Sequence, residues 1–383
     1  MHIGLVTETY RPEPNGVAMT LGTLVDHLRH RGHDIDLVIP ARPDVPGTGA
    51  SSVLALPGLP VPGYPSVRFG LPTVRRLVAH WRERTPDVVY VATQGPLGWA
   101  AVRAARRLGI AVVSGYHTHF SAYGRYYGMG LAAPLIEAYL RRFHQRTRVT
   151  LAPTARLAAT LGERGFGDVA VLPRGVDTGR FRPQRRNPSL RQQWGVFPGS
   201  PVILYVGRLA AEKNVELAIR SFRAIEQAVP QARCIMVGDG PLRASLAAEH
   251  PDIVFTGSLS GPDLAAHYAS ADLFLFPSLT DTFGNVVLEA MASGLPVVAF
   301  DSGAAAEHMR SFDNGLLVPF GDAARFRAAA TLLAREGRLR RRLGIHARAS
   351  VTRQDWTTVA DRFEGILACH AGIAGPVPAS PAA

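Results

Sequence analysis

The strongest constraint on this chain is a strand–helix alternation that runs twice. Apolar runs at 2–6, 34–39, 87–91, 110–116, 149–153 and 169–173 read as buried strands. Helical patterns lie between them, as at 17–31, 97–108 and 134–147. After Pro173 the text changes. Residues 174–193 hold turn residues and charge but no strand, so they read as a linker. A second series of strands follows at 201–207, 232–238, 252–257, 271–278, 295–300 and 315–319. Helical segments accompany it at 213–228, 241–249, 261–269, 285–293 and 322–335. The alternation predicts two parallel-sheet α/β domains, with ligands at the carboxyl ends of their strands. The expected domains are residues 1–178 and 195–352. Trp356, Val359, Phe363, Ile366 and Leu367 fall at helical spacing beyond the last strand–helix unit. A helix over 353–370 with no strand partner of its own is expected to cross back to the N-terminal domain. The small, Pro-rich residues 371–383 read as a disordered tail.

Composition excludes several classes. With 383 residues, 47% of them hydrophobic, the chain can bury a sizeable core without staples. Cys234 and Cys369 match no ligand spacing, which argues against a disulfide framework or a zinc site and fits a reducing compartment. The start, MHIGLVTETYRPEP, lacks the basic-then-apolar order of a signal peptide. No apolar run approaches the ~20 residues that span a bilayer. A cytoplasmic location is therefore expected. The net charge of +12 is uneven. Residues 1–180 carry 21 Arg, no Lys and 12 acids; the remainder carries 20 Arg, one Lys and 18 acids. The first half thus favours an anionic partner: nucleic acid, an anionic membrane or a phosphorylated substrate. The single lysine, Lys213, stands out in a sequence that otherwise uses Arg for its cations. A compact point charge is expected to be required there.

Two short motifs are decoys. Asp34-Ile35-Asp36 is a D-x-D that opens a strand, at the wrong end for a catalytic metal. Gly128–Ala133 fits G-x-G-x-x-A but follows no strand. Three stretches carry more. Asn15-Gly16, after the first strand, supplies a turn into a helix whose free N–H groups suit an anion. Gly207-Arg208 ends a strand and Lys213 follows at a helix start, which reads as a diphosphate clamp. In 278–298, Asp281 and Glu289 stand eight residues apart around Phe283-Gly284-Asn285. Two carboxylates and the backbone N–H groups of a helix start can serve two sets of hydroxyls, such as a sugar and a ribose.

That last string resembles the signature of glycosyltransferase family 4, the retaining GT-B sugar-nucleotide transferases. The resemblance covers nearly the whole chain: the Asn15-Gly16 loop, Tyr116-His117-Thr118, Arg174-Gly175-Val176-Asp177, Arg208 with Lys213, Gly238-Asp239-Gly240-Pro241 and the Trp-led final helix fall in family order. It implies an α/β GT-B fold, two Rossmann-like domains with a C-terminal crossover helix. It also implies a hexosyltransferase needing neither cofactor nor metal, with anomeric configuration retained. Within the family the chain looks most like GDP-mannose-dependent α-mannosyltransferases. It is also similar to sulfoquinovosyl-, glucosyl- and glucuronosyl-diacylglycerol synthases.

The residue roles so implied are these. Arg208 and Lys213 stabilise the leaving diphosphate and Glu289 holds the ribose. Asp281 and the amides of Phe283, Gly284 and Asn285 orient the sugar, and His117 contacts it, with His119 as competitor. Gly16 and Gly238 line the donor, and the base lies along Phe255–Leu259, which includes Ser258. Asp281 replaces a commoner Glu, and Arg174 replaces a commoner Asn, either adding a phosphate contact or bracing the linker. The expected partners are a GDP- or UDP-hexose donor and a lipid acceptor. Nucleic acid leaves Lys213 and 278–298 unexplained. A transferase with a soluble saccharide acceptor and a sugar-nucleotide epimerase are the rivals that keep the same donor site.

A peripheral position on the inner face of the cytoplasmic membrane is read from residues 134–148. There Leu135, Ile136, Tyr139, Leu140 and Phe143 form an apolar side, and Arg141, Arg142, Arg146 and Arg148 a cationic one. Tyr123, Tyr126 and Tyr127 adjoin it. The competing reading makes the apolar side core.

Overall fold

The computed structural model describes residues 1–13, 15–42, 49–61, 64–117, 133–281 and 283–375. These divide into two compact units. One holds the residues up to Arg174 together with those from Trp356 on; the other is Gly175–Asp355.

The first unit is built on a parallel sheet of seven strands: β1 (His2–Val6), β2 (Asp34–Pro40), β3 (Ser52–Leu56), β6 (Val88–Val91), β7 (Ala111–Gly115), β8 (Val149–Ala152) and β9 (Val169–Val171). An antiparallel hairpin, β4 (Gly58–Val61) with β5 (Tyr64–Gly70), stands outside it. The order is β3-β2-β1-β6-β7-β8-β9. Strand order therefore reverses between β1 and β6, where a crevice opens at the carboxyl ends. β1, β2, β6 and β7 are buried almost throughout, which is why they read as continuous apolar runs.

The second unit has six parallel strands: β10 (Val202–Val206), β11 (Arg233–Val237), β12 (Val254–Gly257), β13 (Leu273–Phe276), β14 (Val297–Phe300) and β15 (Gly315–Val318). Their order, β12-β11-β10-β13-β14-β15, puts the same reversal between β10 and β13. A core lies on each face of this sheet, one around Phe274, Val287 and Met291 and one around Phe222, Phe300 and Phe326.

The two parallel-sheet α/β units match the sequence reading, and so do their strands except the edge strand β3, which it lacks along with the hairpin and two helices. The helix Val74–Glu83 buries only Leu77 and Trp81 among arginines and a histidine, and the helix Gly337–Val351 is Arg-rich. The linker itself contains a short helix, Pro188–Gln193, capped by the Asn187 side chain on Leu190 N. Asp36, of the D-x-D, is fully buried and accepts from Ser52 Oγ (2.7 Å), His80 Nε2 (2.9 Å) and Trp81 Nε1 (3.2 Å), so it acts as an internal anchor.

The last helix, Trp356–His370, lies on the first unit. Val359, Ala360, Phe363, Ile366 and Leu367 are buried with Leu21, Leu24 and Leu28 of the helix Gly16–His30 and with Tyr90 of β6. Phe363 meets the Tyr90 ring edge-on at 4.8 Å, and Glu364 accepts from Arg31 at 2.7 Å. Burying a side chain such as Phe363 contributes ~1.5–3 kcal/mol. No helix among the described residues is long and apolar enough to cross a membrane.

Candidate active site

In the second unit, the loops after β10 and β13 meet at the switch point. The loop after β10 turns through a single 3-10 turn, Ala211–Lys213, then Asn214 with a left-handed φ of 53° before the helix Val215–Ala228. Asn tolerates that conformation. Two hydrogen bonds tie this loop to the one after β13: Asn214 Nδ2 to Pro277 O (3.2 Å) and Thr280 Oγ1 to Glu212 O (3.1 Å). They bring Lys213 Nζ to 2.7 Å from Asp281 Oδ1, with the two side chains 15% and 24% exposed. Arg208 lies on the same loop, 3.4 Å from the buried Glu212, and its carbonyl accepts from Tyr205 OH at 3.1 Å.

The glycines around this point make room for backbone. A Cβ on Gly238 would lie 1.9 Å from Gly207 O. The amide of Gly238 donates to Gly257 O, and Leu209 N donates to Asp239 O. The ends of β10, β11 and β12 are thus stacked, with Ser258 exposed just beyond Gly257. Gly284 has φ 91° and precedes the helix Asn285–Ala292; a Cβ there would meet the Phe276 ring at 2.7 Å. Phe283 is buried, and its carbonyl accepts from Ala304 N at 2.7 Å. One helical turn in, Glu289 Oε2 accepts from Tyr268 OH at 2.9 Å. Burial raises the Glu289 carboxyl to about 7, partly offset by Tyr268 and Arg180.

In the first unit, Asn15 caps the helix Gly16–His30: its Oδ1 accepts from Ala18 N, and its Nδ2 donates to Thr9 Oγ1 and Glu13 Oε2. Glu13 in turn pairs with Arg42. Gly16 is exposed at the first position of that helix. At the β1–β6 switch point Glu8 Oε1 accepts from Leu97 N (3.2 Å), at the start of the helix Pro96–Arg107. A Cβ on Gly95, the N-cap, would lie 1.8 Å from Glu8 Oε2, so the carboxylate fills the place of a capping side chain. Burial raises Glu8 to about 7, against the N–H groups of Leu97 and Gly70.

His117 follows β7. Its Nε2 is 2.7 Å from Tyr90 OH and its Nδ1 is 2.5 Å from an Arg174 nitrogen. Burial, reinforced by Arg174 and His144, holds its pKa well below the ordinary imidazole value of 6.5. Arg174 therefore braces His117. The sequence leaves the role of Arg174 open and gives no sign of Tyr90, Glu8, Tyr268 or Glu212 at either site. Each belongs to a strand, a helix or a loop whose local pattern carries no chemical signal.

On the helix Ala133–His144 the five apolar residues separate. Leu140 and Phe143 are core, whereas Leu135 is 74% exposed; Tyr139 is also exposed and donates to Gln94 O at 2.5 Å. Arg141, Arg142 and Arg148 are exposed, and Arg146 lies over the Trp99 ring at 5.1 Å. His119, Tyr123, Tyr126, Tyr127 and residues 128–132 lie outside the described residues.

Two parallel-sheet units, one with an ion pair and backbone-lined edge at its switch point, define a nucleotide-binding class of α/β enzyme. Comparison with known proteins makes it specific. Residues 14–180 match Glycosyltransferase Family 4 and residues 200–336 match Glycosyl transferases group 1. The chain is 36% identical over 373 residues to a GDP-mannose-dependent alpha-mannosyltransferase of Mycobacterium tuberculosis, covering 95% of this chain and 96% of that one. It is 29% identical to the sulfoquinovosyl transferase SQD2 of Arabidopsis thaliana, over 88% of this chain and 68% of the other. Among solved structures, sucrose-phosphate synthase from Thermosynechococcus elongatus superposes with a TM-score of 0.77 at 20% identity, over 95% of this chain and 97% of that one. The chain belongs to glycosyltransferase family 4, of the GT-B fold, and is a glycosyltransferase.

Proposed function

We propose that this enzyme transfers mannose from GDP-mannose to a lipid acceptor at an anionic membrane surface, with retention at the anomeric carbon. The observation that carries the reading is Lys213, the chain's single lysine, set beside Asp281 at the switch point of the second unit. The choice of GDP-mannose follows the M. tuberculosis relative. In transfer, the bond from the anomeric carbon to the diphosphate breaks, a bond to an acceptor hydroxyl oxygen forms, and the acceptor proton leaves with the diphosphate or to solvent. Negative charge grows on the diphosphate. Arg208 and Lys213 stabilise it electrostatically, with no covalent intermediate. Glu289 accepts from the ribose hydroxyls, the amides of Phe283, Gly284 and Asn285 with Asp281 orient the sugar, and Gly238 and Ser258 border the base. Gly16 and His117 are carried over as donor contacts.

The lipid acceptor is supported by the exposed Leu135 beside Arg141 and Arg142. A soluble saccharide acceptor is the second reading, favoured by Leu140 and Phe143 being core. The test incubates the protein with GDP-mannose, other GDP-sugars and UDP-sugars, each with a membrane lipid extract or a soluble oligosaccharide pool. Products are identified by mass. A mannolipid formed from GDP-mannose is expected; a product only in the soluble pool would replace the lipid reading, and transfer only from UDP-sugars would replace the donor.

A further inference from the structure

Arg174 is 6% exposed and forms no ion pair with an Asp or Glu of the described residues. Its guanidinium contacts His117 and feels Tyr90, neither of them an acid that would be charged beside it at neutral pH. The adjoining segment 118–132 contains no acidic residue. A buried cation placed among neutral groups is costly, so its position calls for a reason beyond packing.

Its contacts supply one. A guanidinium has donors only. The His117 Nδ1, 2.5 Å away, must therefore accept, and a neutral imidazole then carries its hydrogen on Nε2. That N–H points at the Tyr90 oxygen, 2.7 Å away, so the hydrogen bonds run in one direction, from Arg174 through His117 to Tyr90. Gly115 makes the junction possible: a Cβ on it would lie 2.3 Å from the Tyr90 oxygen and 2.4 Å from His117 Nε2. The Tyr90 ring is also braced edge-on by Phe363 at 4.8 Å.

We propose that Arg174 is a positioning residue for sugar transfer, which fixes His117 as an acceptor at Nδ1 and a donor at Nε2. The Nε2–H is thereby committed to an oxygen: the Tyr90 hydroxyl here, and during transfer a hydroxyl of the sugar. This last step rests on the reading of His117 as a sugar contact; the tautomer does not. Protonating Nδ1 would set one N–H against another that is already charged. Burial and the neighbouring His144 act in the same direction, and Tyr90 is the remaining titratable group facing the ring. His117 is therefore expected to remain neutral through the range where free histidines titrate.

The test is nitrogen-15 NMR of the full chain labelled at histidine, with the His117 signals assigned by their loss in His117→Gln. In the unmodified protein Nε2 is expected protonated and Nδ1 bare, with no titration between about pH 5 and 8. Arg174→Met should mix the tautomers and raise the midpoint, with burial still holding it below that of a free histidine. Arg174→Lys, which still donates, should restore the single tautomer. Turnover should fall about 10- to 100-fold in Arg174→Met, with donor KM within about twofold. A proton on Nδ1 in the unmodified protein, or titration near 6.5, overturns the proposal, and that spectrum decides even if Arg174→Met fails to fold. Full transfer by His117→Gln with the expected spectrum would instead overturn the sugar-contact reading alone.

Discussion

Over six strands the two sheets share one order, yet their switch points hold different chemistry. Between β10 and β13 an ion pair, Lys213 with Asp281, stays partly open to solvent. Between β1 and β6 the carboxyl of Glu8 is buried and taken up by a helix start. Fold alone would make both crevices binding sites. What separates them is access to solvent: Glu8 is buried and fills the empty cap position of Gly95, whereas the Lys213–Asp281 pair, on loops tied by the side chains of Asn214 and Thr280, keeps its side chains 15% and 24% exposed. Glu8 thus braces a helix start, whereas the pair in the proposed diphosphate site keeps its charges within reach of solvent.

The largest effect that would break this comparison is on turnover. Lys213→Ala removes charge facing the departing diphosphate, and loss of one such group typically costs ~10²–10³ in turnover. Lys213→Arg should also be poor, since the guanidinium is bulkier and differently directed. The control is Arg220→Ala, whose exposed pair with Glu216 lies on the helix that follows Lys213 and contributes at most about 1 kcal/mol to stability. Steady-state rates with GDP-mannose check this. Equal turnover in Lys213→Ala and the unmodified enzyme would remove the second crevice from the mechanism.

The two raised carboxyls sharpen the contrast further. Glu8 and Glu289 each stand at about 7 against a reference of 4.5, both chiefly through burial. The folded state therefore keeps a proton that the unfolded chain has released. Each group's stabilising contribution is fully present below 4.5 and is lost as pH rises through 7. The shift corresponds to at most about 3 kcal/mol per group. Glu8→Gln and Glu289→Gln should each flatten the fall in stability between acid and pH 8, measured by urea unfolding. Only Glu289→Gln should weaken nucleotide binding at pH 8, where the charged carboxylate is the better acceptor for ribose hydroxyls. Calorimetric titration with GDP separates them. Equal weakening by Glu8→Gln would mean that both crevices serve the donor.

The same contrast explains what is legible in the sequence. Apart from Gly238 and Ser258, the second unit's candidates stand in two local strings, 207–213 and 278–298, because a turn and a helix start place neighbouring residues at one sheet edge. The fold is legible for the same reason: strands buried on both faces leave unbroken apolar runs. The first unit assembles its polar groups from afar. Arg174, His117 and Tyr90 come from three separate segments, and a hydrogen bond across 57 residues leaves no periodic trace. The hairpin β4–β5 escapes because prolines and glycines interrupt its short strands, whereas the helix Val74–Glu83 does carry an apolar stripe, Val74, Leu77, Val78 and Trp81, that the strand–helix alternation passes over between two strand runs.

On the helix Ala133–His144 the comparison between exposed and buried apolar side chains yields two smaller effects. Arg141→Glu with Arg142→Glu should weaken sedimentation with anionic vesicles, at ~1 kcal/mol per basic residue near the surface, and the loss should shrink in high salt.

Leu135 gives the smallest effect and the most discriminating one. It is 74% exposed, so Leu135→Gln should change stability by no more than about 0.5 kcal/mol. Leu140, at 3% exposure on the same helix, should cost ~2–5 kcal/mol when cut to Ala. If Leu135 enters the lipid interface, Leu135→Gln forfeits the burial of one leucine, about 1.5 kcal/mol or roughly tenfold in vesicle affinity. That loss should persist at high salt, unlike the arginine effect, because apolar burial is not screened. Vesicle sedimentation at two salt concentrations separates the terms. Unchanged affinity in Leu135→Gln, alongside a clear arginine effect, would leave a surface held by charge alone. Unchanged affinity in both variants would remove this helix from the membrane and favour the soluble saccharide acceptor.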